Sequence, residues 1–310
     1  MNKKVITKYE VIIIGGGPAG LTAGLYTSRA GLKSLLIERG IFGGQIVNAS
    51  QVDNYPGFPE GISGFELASL MQEQSVKYGL VTINDTVTAV KSGDKYSVIT
   101  MEGNFESEAV IIAAGSEYRK LKVPGEEEFV GRGVSYCATC DGFLFRGLDV
   151  AVVGGGDTAI TDALELSEHA SKVYIIHRRD QLRAGKILQQ KALAKTKLKP
   201  IWDTVVDEII GENKVSYLSL RNVKTKKISK LEVAGVFVAI GLEPNSKCFA
   251  EIVELDKTGL INTDEMMATS APGIFAIGDI RKNSPRQVAS AVGDGATAAL
   301  SAFRYLRERS

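Results

Sequence analysis

A repeated glycine-rich pattern is the feature that most restricts how this chain can fold. Its first copy runs from Tyr9 to Gly20, and its second runs from Asp149 to Ala159, about 140 residues later. Each copy has a short β-branched stretch, a glycine turn and a helix-like stretch, and a second apolar strand follows. One such unit binds one dinucleotide, so the repeat predicts an α/β protein with two dinucleotide-binding units.

The matching spacing of the two copies gives each small residue a separate role. The first glycine allows the tight turn, the second lets the backbone approach a pyrophosphate, and the third position packs the helix closely on the strand. These roles fall in turn on Gly15 and Gly154, on Gly17 and Gly156, and on Gly20 and Ala159. The pyrophosphate is expected at the helix N-terminus, where unpaired N–H groups favour negative charge. The other turn residues expected at the cofactors are Pro18, Ala19, Asp157 and Thr158.

The residue that ends the second strand of the first copy indicates which dinucleotide binds there. This residue is Glu38, 23 positions after Gly15. A carboxylate at this point accepts hydrogen bonds from ribose hydroxyls and would repel a 2′-phosphate. The first unit is therefore predicted to bind FAD or NAD rather than NADP.

The second copy ends differently. His177 stands 23 positions after Gly154 and is followed by Arg178, Arg179 and, a little later, Arg183. Cations that can bind in a bidentate manner suit a 2′-phosphate. A solvated basic loop is the alternative, but the cluster falls at the selectivity position, which favours NADPH.

A closely spaced cysteine pair supplies a candidate redox centre. Cys137 and Cys140 form a CxxC motif, followed directly by Asp141. This spacing allows a small disulfide ring and can activate one thiol. Half of a zinc site is the competing interpretation, but it needs further ligands, and only Cys248 and two scattered histidines remain. Asp141 is the nearby candidate proton donor, and it can also serve as a turn former.

Composition excludes several other classes of protein. The 310 residues are enough for about two domains, and the formal net charge of +1 argues against a nucleic-acid or membrane partner. No apolar stretch approaches the roughly 20 residues that span a bilayer. Three cysteines do not make a disulfide framework, so we expect a reduced, cytoplasmic enzyme.

Taken together, these motifs resemble those of the low-molecular-weight thioredoxin reductases, in the family's order and over essentially the whole chain. The residues that carry the resemblance are Gly15–Gly20, Glu38, Gly43–Ile46, Cys137–Asp141, Gly154–Ala159, His177–Arg179 and Gly278–Asp279. The resemblance implies a homodimer and two Rossmann-like, three-layer domains, the second inserted into the first. The FAD domain would comprise residues 1–117 and 246–310, and the NADPH domain residues 118–245.

The resemblance also implies residue roles and a reaction. Cys140 would face the flavin, Cys137 would attack the disulfide of thioredoxin or a thioredoxin-like protein, and Asp141 would be the acid. Electrons would pass from NADPH through FAD to the cysteine pair, with the inserted domain rotating on linkers near 115–120 and 241–246. Further FAD contacts are expected at Gly44, Gln45, Asn54, Ala114, Gly115, Gly278, Asp279, Arg286 and Gln287.

One departure and three alternatives qualify this prediction. Thr161 and Asp162 stand where the family has a pair of glutamates, which leaves NADH open as the reductant. A ferredoxin–NADP reductase of the same architecture needs no cysteine pair, and neither does a non-catalytic dinucleotide sensor. Glutathione-reductase-like enzymes place their cysteines beside the first unit and use a histidine near the C-terminus, whereas His177 is the last histidine of this chain.

Overall fold

The computed structural model describes residues 7–49 and 51–309. The strands are β1 Thr7–Ile14, β2 Ser34–Glu38, β3 Val81–Asn84, β4 Val87–Lys91, β5 Tyr96–Thr100, β6 Asn104–Ile112, β7 Ser116–Tyr118, β8 Val134–Ser135, β9 Asp149–Gly154, β10 Lys172–Ile176, β11 Leu198–Ile201, β12 Thr204–Gly211, β13 Val215–Asn222, β14 Ile228–Glu232, β15 Gly235–Ala239, β16 Leu242–Pro244 and β17 Ile274–Ala276. The α-helices are α1 Pro18–Arg29, α2 Gly64–Val76, α3 Ala138–Asp141, α4 Asp157–His169, α5 Lys186–Ala194 and α6 Val288–Arg307.

The chain divides into two compact units. The first runs to Glu117 and resumes at Glu243, and the second is the intervening segment Tyr118–Leu242. The chain passes from one unit to the other at β7 and β16, which pair as a two-stranded sheet. Within the described ranges, no helix is both long enough and apolar enough to cross a bilayer.

The first unit is built on a mostly parallel sheet. Its strand order is β3-β2-β1-β6-β5-β4, with β17 also parallel to β6. The antiparallel pairings are β4 with β5 and β5 with β6. Alternate residues of β1 belong to different hydrophobic clusters: Val11 and Ile13 pack on one face of the sheet, and Ile12 and Ile14 pack on the other. Such burial on both faces is what a continuous apolar run in a parallel strand predicts.

The second unit repeats this plan with a different outer layer. Its parallel sheet has the order β11-β10-β9-β15-β8. Val150 and Val152 pack on the side that contains α4, and Ala151 and Val153 pack with residues of the antiparallel sheet β12-β13-β14. The predicted α/β class with two Rossmann-like, three-layer domains is confirmed.

Candidate active site

The first glycine turn leaves an open space at the start of a helix. Gly15 has φ 108°, and a Cβ there would lie 2.3 Å from the Ala113 carbonyl oxygen. A Cβ at Gly20 would lie 1.9 Å from the Gly15 carbonyl oxygen. Gly17, the N-cap of α1, has no side-chain cap, and beyond its chain neighbours no described atom lies within 4 Å of its Cβ position. Packing thus explains Gly15 and Gly20, whereas the space at Gly17 fits a pyrophosphate.

Glu38 ends β2 beside this turn and keeps acceptor capacity. Gly16 N–H donates to Glu38 Oε2 at 2.6 Å, and Gly40 N–H donates to Oε1 at 2.8 Å. Each carboxylate oxygen can accept a further hydrogen bond, so the group can still receive ribose hydroxyls. Gly44 lies close by, because a Cβ on it would approach the Gly17 Cα to 3.2 Å.

The turn after β17 carries a half-buried carboxyl group, that of Asp279. Burial raises the pKa of Asp279 above its usual value, although Arg286 and the Ser284 hydroxyl favour the charged form. Ser284 Oγ donates to Asp279 Oδ1 at 3.3 Å. Arg286 has φ 59°, and its Nε is buried without a hydrogen-bond partner among the described residues. A buried donor of this kind fits a site that a polar ligand completes.

Two other residues predicted at the FAD are brought together. Asn54 Nδ2 donates to Gln287 Oε1 at 3.1 Å, although 233 positions separate them in the chain. Ala114 and Gly115 follow β6, and both of their carbonyl groups accept hydrogen bonds from Asn245. Asn245 was not predicted, because nothing in its local sequence connects it with the end of β6.

A buried ion pair supports the Gly278–Asp279 turn. Arg281 Nε donates to Asp294 Oδ2 at 2.6 Å, and Arg281 Nη2 donates to Asp294 Oδ1 at 2.8 Å. The Gly278 N–H also donates to Asp294 Oδ2, at 3.0 Å. The Arg281 and Asp294 side chains are only 13% and 7% exposed. Asp294 therefore joins α6 to the turn that presents Asp279.

We expect Asp294→Asn to destabilise the protein strongly. Removing one charge leaves Arg281 buried without its partner, which costs about 3–5 kcal/mol. The midpoint of thermal unfolding should fall by roughly 6–12 °C, measured by calorimetry with excess FAD present. Asp207→Asn, which breaks the more exposed pair with Arg221, is the control and should change stability by less than about 1 kcal/mol. Equal shifts for the two variants would contradict this role for Asp294.

The second glycine turn repeats the geometry of the first. A Cβ at Gly154 would lie 2.4 Å from the Ala239 carbonyl oxygen and 2.7 Å from the Ala159 Cβ. Gly156 is the N-cap of α4, again with no side-chain cap, and the nearest atom to its Cβ position is Arg183 Nη2 at 4.0 Å. The same open space therefore stands at a second helix N-terminus, which Thr158 also helps to form. Asp157 Oδ1 accepts the Gly185 N–H at 2.7 Å and so ties the start of α4 to the start of α5.

The basic cluster consists of a buried imidazole, that of His177, and exposed arginine side chains. His177 is 5% exposed and packs against Gly155. Burial, followed by the charges of Arg183 and Arg179, lowers the pKa of His177, so its imidazole is neutral at pH 7. Its Nε2 is buried without a partner among the described residues. The positive charge predicted at this position is thus carried by the arginines and not by His177.

The three arginines are available to an anion. Arg178, Arg179 and Arg183 are exposed, and no carboxylate of the described residues forms an ion pair with them. Asp180, the acidic residue among them, pairs instead with Lys224 at 3.2 Å. Exposed guanidinium groups beside an open glycine turn fit a 2′-phosphate.

The cysteine pair lies at the start of a single helical turn. Cys137 and Cys140 are bonded to each other, with their Cα atoms 5.3 Å apart. Cys137 is the N-cap of α3, and Cys140 N–H donates to Cys137 Sγ at 3.2 Å. In the dithiol state, the same N–H would stabilise negative charge on Cys137. Since the two sulfurs bond to each other, the pair has the form of a redox centre rather than of half a zinc site.

Asp141 lies at the end of the same turn. Burial raises the pKa of its carboxyl group, and a hydrogen bond from Ser135 opposes that rise. Ser135 Oγ lies 2.6 Å from Asp141 Oδ2. A carboxyl group with a raised pKa holds a proton more readily near neutral pH, as a general acid requires. The remaining cysteine, Cys248, packs against a core cluster of the first unit.

Two dinucleotide-type turns together with a bonded cysteine pair define the class as a dinucleotide-dependent disulfide oxidoreductase. The family model for pyridine nucleotide-disulphide oxidoreductases matches residues 9–295. The chain is 48% identical to the thioredoxin reductase of Bacillus subtilis over 302 residues, which cover 97% of this chain and 95% of that one. It is 44% identical to a bifunctional thioredoxin reductase/thioredoxin of Mycobacterium leprae, with 98% and 67% covered.

A solved structure agrees with these relatives. The crystal structure of thioredoxin reductase from Streptococcus pyogenes matches with a TM-score of 0.93 at 46% identity, covering 97% of this chain and 99% of that one. The chain belongs to the thioredoxin reductases of the pyridine nucleotide-disulphide oxidoreductase family. Members of this family use FAD and NADPH, and the predictions of these two cofactors and of an FAD-dependent disulfide oxidoreductase are confirmed.

Proposed function

We propose that the protein is a thioredoxin-disulfide reductase that passes electrons from NADPH, through FAD, to Cys137–Cys140 and on to thioredoxin or a thioredoxin-like protein. The observation that carries this proposal is the bonded cysteine pair beside a half-buried carboxyl group, in the unit that also contains the arginine-flanked glycine turn. The Mycobacterium leprae relative, whose name joins a thioredoxin reductase to a thioredoxin, supports thioredoxin as the partner.

We assign the two cofactors to different units. The unit that contains Gly17, Glu38 and Asp279 would bind FAD, and the unit that contains Gly156 and the three arginines would bind NADPH. When bound, these groups supply the two electrons that return Cys137–Cys140 to the dithiol. The nicotinamide site and the dithiol then share one unit. We therefore infer that this unit turns on β7 and β16, so that the nicotinamide and the dithiol reach the flavin in turn.

The dithiol reduces its partner by two exchange steps. The Cys137 thiolate attacks one sulfur of the partner's disulfide, which forms a mixed disulfide and releases a partner thiolate that takes up one proton. The Cys140 thiolate then attacks Cys137, which restores the Cys137–Cys140 disulfide and releases the second partner sulfur to take up another proton. Two electrons and two protons thereby pass to the partner. We infer that Asp141 supplies a proton as a sulfur leaves, because burial raises the pKa of its carboxyl group.

Exposed apolar side chains next to the cysteine pair support a protein partner. Phe143 is 47% exposed and Leu144 is 62% exposed, and both follow directly after Asp141 and Gly142. Adjacent exposed apolar side chains beside a reactive group are typical of a docking surface. The family resemblance further supports a homodimer located in the cytoplasm, which light scattering and cell fractionation can test.

The test of this function is a reduction assay with the purified holoprotein. We expect oxidised thioredoxin to be required for steady NADPH oxidation, with two partner thiols formed for each NADPH consumed. Replacing thioredoxin with oxidised ferredoxin is the control for the alternative reductase, and replacing NADPH with NADH tests the arginine assignment. Equal turnover with ferredoxin, independent of the cysteine pair, would contradict the proposal.

A further inference from the structure

Ser135 connects the parallel sheet of the second unit with the redox pair. It is the last residue of β8, it pairs with Phe237 of β15, and it is 5% exposed. Its backbone is therefore fixed by a strand, whereas Cys137 and Asp141 belong to a turn and a four-residue helix. The side chain of Ser135 lies between these two residues.

The Ser135 hydroxyl satisfies one group from each residue. It accepts the Cys137 N–H at 3.1 Å and lies 2.6 Å from Asp141 Oδ2. The Cys137 carbonyl oxygen lies at 3.3 Å and competes for the same hydroxyl hydrogen. A serine hydroxyl has one donor, and the shorter contact to the carboxylate is the stronger one. Ser135 thus donates to Asp141 while it accepts from Cys137.

We propose, on the basis of the function above, that Ser135 is a positioning residue that ties the Cys137 backbone and the Asp141 carboxyl group into one hydrogen-bonded unit. The attacking sulfur and the proton donor then keep the same relative position as the disulfide opens and closes. Asp141 N–H also donates to the Cys137 carbonyl oxygen at 3.2 Å, but this bond fixes only the backbone of the turn. Ser135 is the group that orients the carboxyl side chain.

Helix α4 and the turn Gly142–Phe145 pack against α3. The turn contains no titratable residue, and those of α4 are Asp157, Asp162, Glu165, Glu168 and His169. Glu165 accepts the Thr139 hydroxyl at 3.0 Å, and Glu168 pairs with Lys195. Burial raises the pKa of Asp141 and the bond from Ser135 lowers it, with no charged side chain among the causes of the shift. Loss of the Ser135 hydroxyl should therefore raise this pKa further.

The test measures how fast the disulfide opens, without thioredoxin or NADPH. Dithiothreitol attacks the Cys137–Cys140 disulfide of the holoprotein, and the leaving sulfur takes a proton; the reductant is oxidised and the pair is reduced. Rates are corrected for the dithiothreitol thiolate present at each pH. We expect the corrected rate to fall as pH rises through the pKa of Asp141, because only the protonated carboxyl group assists the leaving sulfur.

Ser135→Ala should slow the opening by about tenfold, a part of the 10²–10⁴-fold that a positioned acid contributes. It should also move the descending limb of the pH profile to higher pH, because the pKa of Asp141 rises. Ser135→Thr keeps a hydroxyl and should restore both properties. If the alanine variant does not fold, Ser135→Gly, which also removes the hydroxyl group and adds no thiol, should give the same loss of rate and the same shift of the descending limb.

Two controls separate positioning from general damage. Ser167→Ala removes another buried serine hydroxyl of the same unit, which is 3% exposed and donates to the Leu164 carbonyl oxygen, and it should change neither property. Asp141→Asn should abolish the descending limb of the pH profile. Adding Ser135→Ala to this variant should slow disulfide opening by less than about twofold, because the two residues act together. A uniform loss of rate with no shift, or additive effects in the double variant, would overturn the proposal. Either result would leave thioredoxin reduction by the parent protein intact.

Discussion

Replacing Cys137 with serine should abolish thioredoxin reduction while NADPH still bleaches the flavin. The variant keeps both glycine turns, so the cofactors should bind as before, but Cys140 alone cannot close an intramolecular disulfide. Loss of a nucleophile lowers turnover by orders of magnitude, and we expect a loss of more than about 1000-fold. Cys248 should not substitute, because it packs against a core cluster and burial raises the pKa of its thiol.

The measurement combines two assays of the same protein preparation. Stopped-flow absorbance follows flavin reduction by NADPH, and a coupled assay follows reduction of thioredoxin. Cys248→Ser is the matched control and should retain both rates. Thioredoxin turnover within about tenfold of the parent rate in the Cys137→Ser variant would contradict the assignment of the redox pair.

Replacing Arg178 and Arg179 together with glutamine should impair the use of NADPH selectively. Both side chains are exposed beside the second glycine turn and form no ion pair among the described residues. A hydrogen bond to a charged group contributes about 1.5–3 kcal/mol, so losing two of them should lower kcat/KM for NADPH by about 100-fold or more. NADH has no 2′-phosphate, so kcat/KM for NADH should change by less than about threefold.

The comparison of the two nucleotides is the internal control for this variant. Arg221→Gln removes an arginine of the same unit that pairs with Asp207 on the three-stranded sheet. It should leave both nucleotides unaffected. An equal loss of kcat/KM with NADPH and NADH would mean that the arginines support the fold and do not bind the 2′-phosphate.

The glycine turns could be interpreted from the sequence because their requirements are local. The turn requires φ 108° at Gly15, and a Cβ at Gly20 would lie 1.9 Å from the Gly15 carbonyl oxygen. Both requirements for glycine arise within a few positions of the chain. Gly17 and Gly156 were expected to leave room for a ligand, and packing does not account for either of them. The strand pattern likewise predicted the α/β class.

Contacts that depend on distant chain segments could not be predicted in this way. Ser135 is only two residues from Cys137, but the role of Ser135 depends on the direction in which its hydroxyl group points from the end of β8. Asp294 carries one signal, a carboxylate within a helix rich in alanine and glycine, but its partner Arg281 can be identified only from the fold. The neutral state of His177 depends on burial, which no spacing in the sequence reveals.

The central claim is that electrons from the nicotinamide reach the sulfurs of Cys137 and Cys140. Its most direct test is an anaerobic titration of the Cys248→Ser holoprotein with NADPH, followed by denaturation and counting of free thiols. Two new thiols per chain should appear. In the Cys137→Ser, Cys248→Ser double variant, the Cys140 thiol is already free, so the thiol count should not rise. A fully reduced flavin with the disulfide still intact would contradict the account.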